Sequence, residues 1–251
     1  MPPLLSDTAL VFGRYFRQVV GSWMALMFGL MMPLLYLVFF GPLLHNVPLG
    51  GGASSWQVLV PGLMVQLGLF SAAFAGFEIL IEKQHGVVER MRVTPVSRLA
   101  LLLGRVLKDA VQLGVQSLIL VLAGFGLGLR APVLGIVIGF AFVGVLAVSI
   151  ASLSYALAMR VSSAQEFAPA VNAVNMPAML LSGLLLPMAL APGWLDTVSR
   201  FVPFRYVVDA IRAAFTGHYG GSTMLYGGLM SAGLALVAVT VGTRVFTRAG
   251  A

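Results

Sequence analysis

The chain has 251 residues, 59% of them hydrophobic and only 9% charged, with a mean hydropathy of +0.99; an ordinary soluble domain carries about 25% charge, so the composition excludes one and indicates an integral membrane protein. The formal charge of +7 comes mainly from basic residues beside apolar stretches rather than from one polar block, so lipid headgroups and topology account for it, not nucleic acid. With no cysteine there is no disulfide framework, thiolate metal site or Cys nucleophile.

The N-terminal segment 1–20 carries acidic Asp7 and two prolines and lacks a basic leader region, so the first apolar stretch is expected to stay in the mature protein. Within it Asp7, Arg14, Arg17 and Gln18 share one sector of a 3.6-residue wheel, while Leu4, Val11, Phe12, Phe16 and Val19 lie largely elsewhere. This predicts an amphipathic helix in the membrane interface.

A hydrocarbon core about 30 Å thick takes about 20 apolar residues of helix. Six segments meet that demand, approximately Gly21–Leu44, Gln57–Phe77, Ala110–Leu129, Pro132–Met159, Phe167–Leu186 and Thr223–Thr243. The expected fold is therefore one all-α membrane domain, 1–251, with six transmembrane helices. Cytoplasmic loops hold the excess of Lys and Arg. With both termini inside, eleven of the fifteen basic residues fall on the inner face and only Arg130, Arg200, Arg205 and Arg212 outside. An N-in/C-in topology follows.

The inner segment 78–109 contains EKQHGVVERMRVTPVSR, from Glu82 to Arg98, between two oily stretches. A short helix there puts Val87, Val88 and Met91 on one face, with Glu89 and Arg90 away from it. Thr94 and Pro95 end it, because proline disfavours helix in the residue before it. Ser97 then caps a helix running through Arg98, Arg105, Lys108 and Asp109 into the third span, and Arg105 and Asp109, one turn apart, can pair at the membrane boundary. The product is either a solvated positive-inside loop or an apolar knob with charged flanks, suited to docking into a partner and to passing force into two spans.

In the fifth span Asn172 and Asn175 precede Pro177, and Gln66 interrupts the second; an amide in lipid needs a protein partner or a wet cavity. In the outer segment 187–222, Arg205, Asp209 and Arg212 repeat at helical spacing as a polar stripe beside Val207, Val208, Ile211 and Phe215.

Two blocks carry a family resemblance. Phe77–Arg105, with Glu78, Glu82, Gly86, Glu89, Thr94, Pro95, Ser97 and Arg98, resembles the inner loop of type-2 ATP-binding-cassette (ABC) exporter permeases. Met176–Gly217, with Ser182, Gly183, Pro187, Pro192, Trp194, Leu195, Pro203, Tyr206 and Arg212, is similar to that family's other signature. His85 departs from the pattern, where another polar or charged residue is more usual.

The resemblance implies a six-span permease, paired with a second copy or a paralogue in the cell membrane and exporting drug, lipid or glycolipid-like cargo. It implies no cofactor on this chain: ATP and magnesium belong to a separate ATPase subunit. That subunit would dock on a coupling helix made by Gly86, Val87, Val88, Glu89, Arg90, Met91 and Arg92 and stopped by Thr94 and Pro95. Glu78, Glu82, Arg98, Arg105 and Asp109 would transmit the motion, and the outer segment would form re-entrant helices. The family's architecture places Gln66, Phe70, Phe74, Asn172, Asn175 and Met179 along the substrate path. Phe and Met walls adapt to varied apolar shapes, favouring an amphipathic cargo over a large glycan.

Other chemistry is weakly supported. A P-loop needs Lys followed by Ser or Thr, but Lys83 is followed by Gln and Lys108 by Asp. An ion-coupled carrier or channel working without an ATPase is the alternative, yet the expected spans hold no Asp or Glu away from their ends. His218 and Ser222 have no third orienting partner for hydrolysis.

Overall fold

The computed structural model describes residues 2–21, 23–44, 54–84, 98–185 and 187–248, and among them there is helix and no strand. The helices are α1 (Pro2–Gly21), α2 (Trp23–Leu43), α3 (Ser55–Ala73), α4 (Gly76–Gln84), α5 (Arg98–Gly126), α6 (Val133–Arg160), α7 (Ala164–Leu181), α8 (Gly193–Ser199), α9 (Pro203–Phe215) and α10 (Ser222–Arg248), with a 3-10 turn at Met188–Leu190. Five stretches are long and apolar enough to cross a membrane: Leu26–Leu43, Ser55–Glu82, Leu101–Gly126, Val133–Arg160 and Ser222–Val245. The fifth expected span, Phe167–Leu186, corresponds to α7. Its 18 residues include Gln165, Glu166, Asn172, Asn175 and two prolines, which dilute its apolar character.

Helix α3 is the hub. It packs against α2, α5, α6, α7 and α9, and 83% of its candidate span is buried, against 17% for α10 at the periphery. A capping box starts it: the Ser54 hydroxyl accepts from Gln57 N–H and the Gln57 side chain accepts from Ser54 N–H. Gln57 also donates to the Arg130 carbonyl at 2.6 Å, fixing the outer end of α3 to the α5–α6 joint. The small face of α3 matters as much as its apolar one. A Cβ on Gly62 would lie 1.8 Å from the Leu184 carbonyl oxygen, so this approach of α3 to the chain after α7 requires glycine.

The second span, expected as one rod to Phe77, breaks at Phe74–Ala75 and resumes as α4. Ser154 on α6 bridges the break, donating to the Ala73 carbonyl at 2.5 Å and accepting from Gly76 N–H at 2.9 Å. Two backbone groups orphaned by the interruption are thereby satisfied inside a buried contact. The third span, expected from Ala110, is the C-terminal part of a longer rod: α5 runs unbroken from Arg98 through Gly126. Between α6 and α7 the chain turns over only 161–163, with Ser163 accepting from Glu166 N–H and Glu166 accepting from Ser162 N–H to start α7.

Candidate functional site: an inner charged clasp and a lateral cavity

Between the end of α4 and the first turns of α5, four helices meet through charged side chains and two tyrosines. From α5, Arg105 pairs with Glu82 of α4. Lys108 reaches both Glu78 oxygens at 2.9 Å and Asp109 Oδ1 at 2.7 Å. Asp109 also accepts from the Tyr155 hydroxyl of α6. From α1, Tyr15 donates to Glu82 Oε1 at 2.7 Å while its ring lies under the Arg105 guanidinium, 4.8 Å from centroid to Cζ. The sequence reading paired Arg105 with Asp109; the structure instead gives each a partner on another helix, because both face inward and carboxylates and a phenol already stand there.

The cationic groups are deeply placed: Arg105 and Lys108 are each 2% exposed, and Asp109 8%. Charges so buried persist only when paired, and removing one partner strands the other. The clasp thus ties α1, α4, α5 and α6 together through side-chain contacts. Of the expected transmission residues it brings together Glu78, Glu82, Arg105 and Asp109. Arg98 is the first residue of α5. Gly86, Val87, Val88, Glu89, Arg90, Met91, Arg92, Thr94 and Pro95 lie outside the described residues. Lys108, Tyr15 and Tyr155 were not singled out as site residues, since helical spacing reveals neighbours on one helix and these act between helices.

Away from the clasp a cavity of about 540 Å³ opens among α2, α3, α5 and α7. It collects Gln66, Phe70 and Met179 of the expected path, and adds Tyr36 from α2 and Gln112 and Gln116 from α5. A pocket of about 190 Å³ shares Tyr36, Gln66 and Met179 with it and reaches Gly183 and Leu184. The other expected path residues stand apart. Asn175 lines a separate, almost wholly apolar cavity of about 250 Å³ between α6 and α7, and Asn172 is exposed on α7. Phe74 stacks on Phe77 at the α3–α4 break, with ring centroids 5.9 Å apart, and Phe77 in turn meets Phe167 edge-on.

The far end of this region, around Gly183 and Leu184, is held by Arg212. Its guanidinium, on an 8%-exposed residue, donates to the carbonyls of Val58, Gly183 and Leu184 at 3.1, 2.7 and 2.9 Å. It therefore joins α9 to α3 and to the turn after α7, where Gly183 adopts a positive φ of 70°. The polar stripe predicted on α9 exists, with Arg205 and Arg212 flanking Asp209 at 3.7 and 3.8 Å, while Val207, Val208, Ile211 and Phe215 are fully buried. Arg205 further pairs with Asp196 of α8, and hydrogen bonds from Arg200 and Arg205 hold the Asp196 carboxyl below the usual carboxylate range.

Comparisons with known proteins place the chain beside membrane transport proteins. The family model described as ABC-2 type transporter matches residues 7–216. A protein of Cyanophora paradoxa named as transport permease ycf38 is 25% identical over 208 residues, covering 81% of this chain and 72% of its own. The corresponding Porphyra purpurea protein is 26% identical over the same length. A Mycobacterium tuberculosis (strain ATCC 25618 / H37Rv) protein named as doxorubicin resistance ABC transporter permease DrrC is 23% identical over 242 residues, covering 93% of this chain and 85% of its own.

Proposed function

The chain belongs to the ABC-2 type transporter family, and on that premise we propose that it exports a hydrophobic or amphipathic compound across the cell membrane when a separate ATPase pushes on its inner insert. Family membership makes it a multi-pass permease, a transport subunit of an ABC transporter and not itself the ATPase. The finer statements are proposals: six spans with both termini inside, α7 being the fifth; re-entrant helices in 187–222; and a second permease copy completing the path. The coupling helix would occupy Gly86–Arg92, with Val87, Val88 and Met91 seated in the ATPase and Glu89 and Arg90 at the rim.

The observation that carries the reading is the clasp. The insert leaves the membrane from α4 and returns as α5, and Glu82–Arg105 and Glu78–Lys108 cross-link those two helices beside it. A push on the insert is thereby delivered to α4 and α5 together, and through Tyr15 and Tyr155 to α1 and α6. The name of the DrrC relative, brought to this chain as a proposal, fits a ring-bearing amphiphile and a cavity walled by Phe, Tyr and Met.

An ion-coupled carrier would draw on the same buried carboxylates. In the clasp, however, Glu78, Glu82 and Asp109 each already have a cationic side chain within ion-pair distance, so none stands ready for a transported ion. The test of docking is Met91→Asp. It is expected to abolish co-purification of the ATPase and ATP-dependent export while the permease still inserts in the membrane; undiminished association and export would refute the coupling assignment.

A further inference from the structure

Resting on the reading of the 540 Å³ cavity as part of the cargo path, we infer that α5 supplies its specificity: Gln116, opposite Gln66, recognises a hydroxyl or amide group on a ring-bearing amphiphile through hydrogen bonds rather than through charge.

The cavity wall poses an unsolved hydrogen-bonding problem. Gln116 and Gln66 are 2% and 5% exposed, and the amide oxygen of each is buried with no hydrogen-bond partner. An unsatisfied buried amide is costly, more so in a membrane where water cannot relieve it. Two such groups border the same cavity, with Gln112 one turn before Gln116 on the same wall. Packing does not require the amide: leucine has nearly the volume of glutamine and no orphaned oxygen.

The neighbourhood also makes room for it. A Cβ on Gly29 of α2 would come within 2.8 Å of Gln116 Nε2, so the absence of a side chain there lets the amide lie against α2. Rotation about its last torsion lets each glutamine present either a donor or an acceptor. The rest of the described wall is mainly aromatic (Phe28, Tyr36, Phe70), methionine and other apolar residues, with a hydroxyl at Ser71 and no charged side chain among the lining residues. Such a wall stacks on a ring and offers an ionic group no counter-charge, while the two amides select for hydrogen-bonding capacity.

The experiment uses the full chain in lipid nanodiscs, without any ATPase, titrated with pyrene, 1-pyrenemethanol and 1-pyrenebutyrate and corrected for empty nanodiscs. Its failure is therefore distinguishable from failure of the coupling reading, which is tested by ATPase association. The wild-type chain is expected to bind 1-pyrenemethanol about tenfold tighter than pyrene, one neutral hydrogen bond's worth of discrimination, and tighter than the anionic butyrate. The Gln66→Leu/Gln116→Leu double variant is expected to bind both neutral probes equally, and Gln116→Leu alone to keep or raise the melting temperature, since it removes an orphaned amide. Equal binding of the neutral probes by the wild-type chain, preference for the butyrate, or discrimination surviving in the double variant would each overturn the proposal. A fall in the melting temperature of Gln116→Leu would assign the amide to packing and overturn it as well.

Discussion

Glu82 is the residue on which the inner clasp turns, because it accepts from two helices at once: a guanidinium of α5 and a phenol of α1. Its side chain is 17% exposed and that of Arg105 3%, so their interaction is poorly screened and the guanidinium cannot easily turn to water. Replacing the carboxylate with an amide keeps the shape but leaves a buried cation with a weaker acceptor. Glu82→Gln is therefore expected to destabilise the fold by about 3 kcal/mol, the lower end for breaking a buried ion pair. Tyr15→Phe, which deletes one hydrogen bond to a charged group but keeps the ring under Arg105, should cost about 1.5 kcal/mol. Thermal unfolding of the two single variants and the double variant in detergent checks both values. The losses should be non-additive because the two groups share one carboxylate; strictly additive losses would mean that α1 is not part of the clasp.

At the scale of elements, the α3–α4 break shows how the hub helix stops being a rigid rod without leaving bare backbone in the membrane. Ser154 reaches across from α6 to satisfy both sides of the interruption, and Gly76 permits the approach: a Cβ there would meet the Ser154 carbonyl oxygen at 2.6 Å and Phe167 Cζ at 2.8 Å. Gly76→Ala is expected to cost about 3 kcal/mol by overpacking, and Ser154→Ala about 2 kcal/mol by orphaning a buried N–H. Hydrogen exchange should localise the second loss to the residues just after the break, and unchanged protection there would argue against the bridge. The break was not legible in the sequence, since Phe74–Gly76 continues an apolar run and the serine that bridges it lies 78 residues beyond Gly76. What was legible was local: the apolar runs marked α2, α3, α6 and α10, and spacing gave the α9 stripe. Pairings between helices were not, so Glu82 and Arg105 were singled out while Lys108 and Tyr155 were passed over. The cavity was half legible: Gln66 stood out as polar in the hub, but nothing in local spacing said that Gln112 and Gln116 would face it.

For the whole molecule, the distribution of burial and charge decides how work can enter. Peripheral α2 and α10 expose Met24, Phe39, Leu229 and Leu236, surfaces suited to lipid or to a second permease copy. Among the described residues the buried charges gather instead at the two ends of the bundle, in the clasp at one end and around Arg212 at the other, with cavities between them. A carrier powered by ion binding would need a titrating group in that middle zone with an unfilled valence, whereas here the middle offers amides, aromatic rings and methionines. Nor can Lys108 serve a nucleotide phosphate, since Glu78 and Asp109 already hold its ammonium. On the proposed reading, free energy for transport therefore reaches the chain mechanically, through the helices that the clasp cross-links. Purified chain in liposomes is expected to leave an amphipathic dye gradient unchanged at any pH or sodium gradient imposed. Adding the partner ATPase and ATP should start transport, and Glu82→Gln should slow it by more than it weakens ATPase association. Gradient-driven uptake by the chain alone would reverse the argument, because the clasp carboxylates would then have to release their partners to take up an ion.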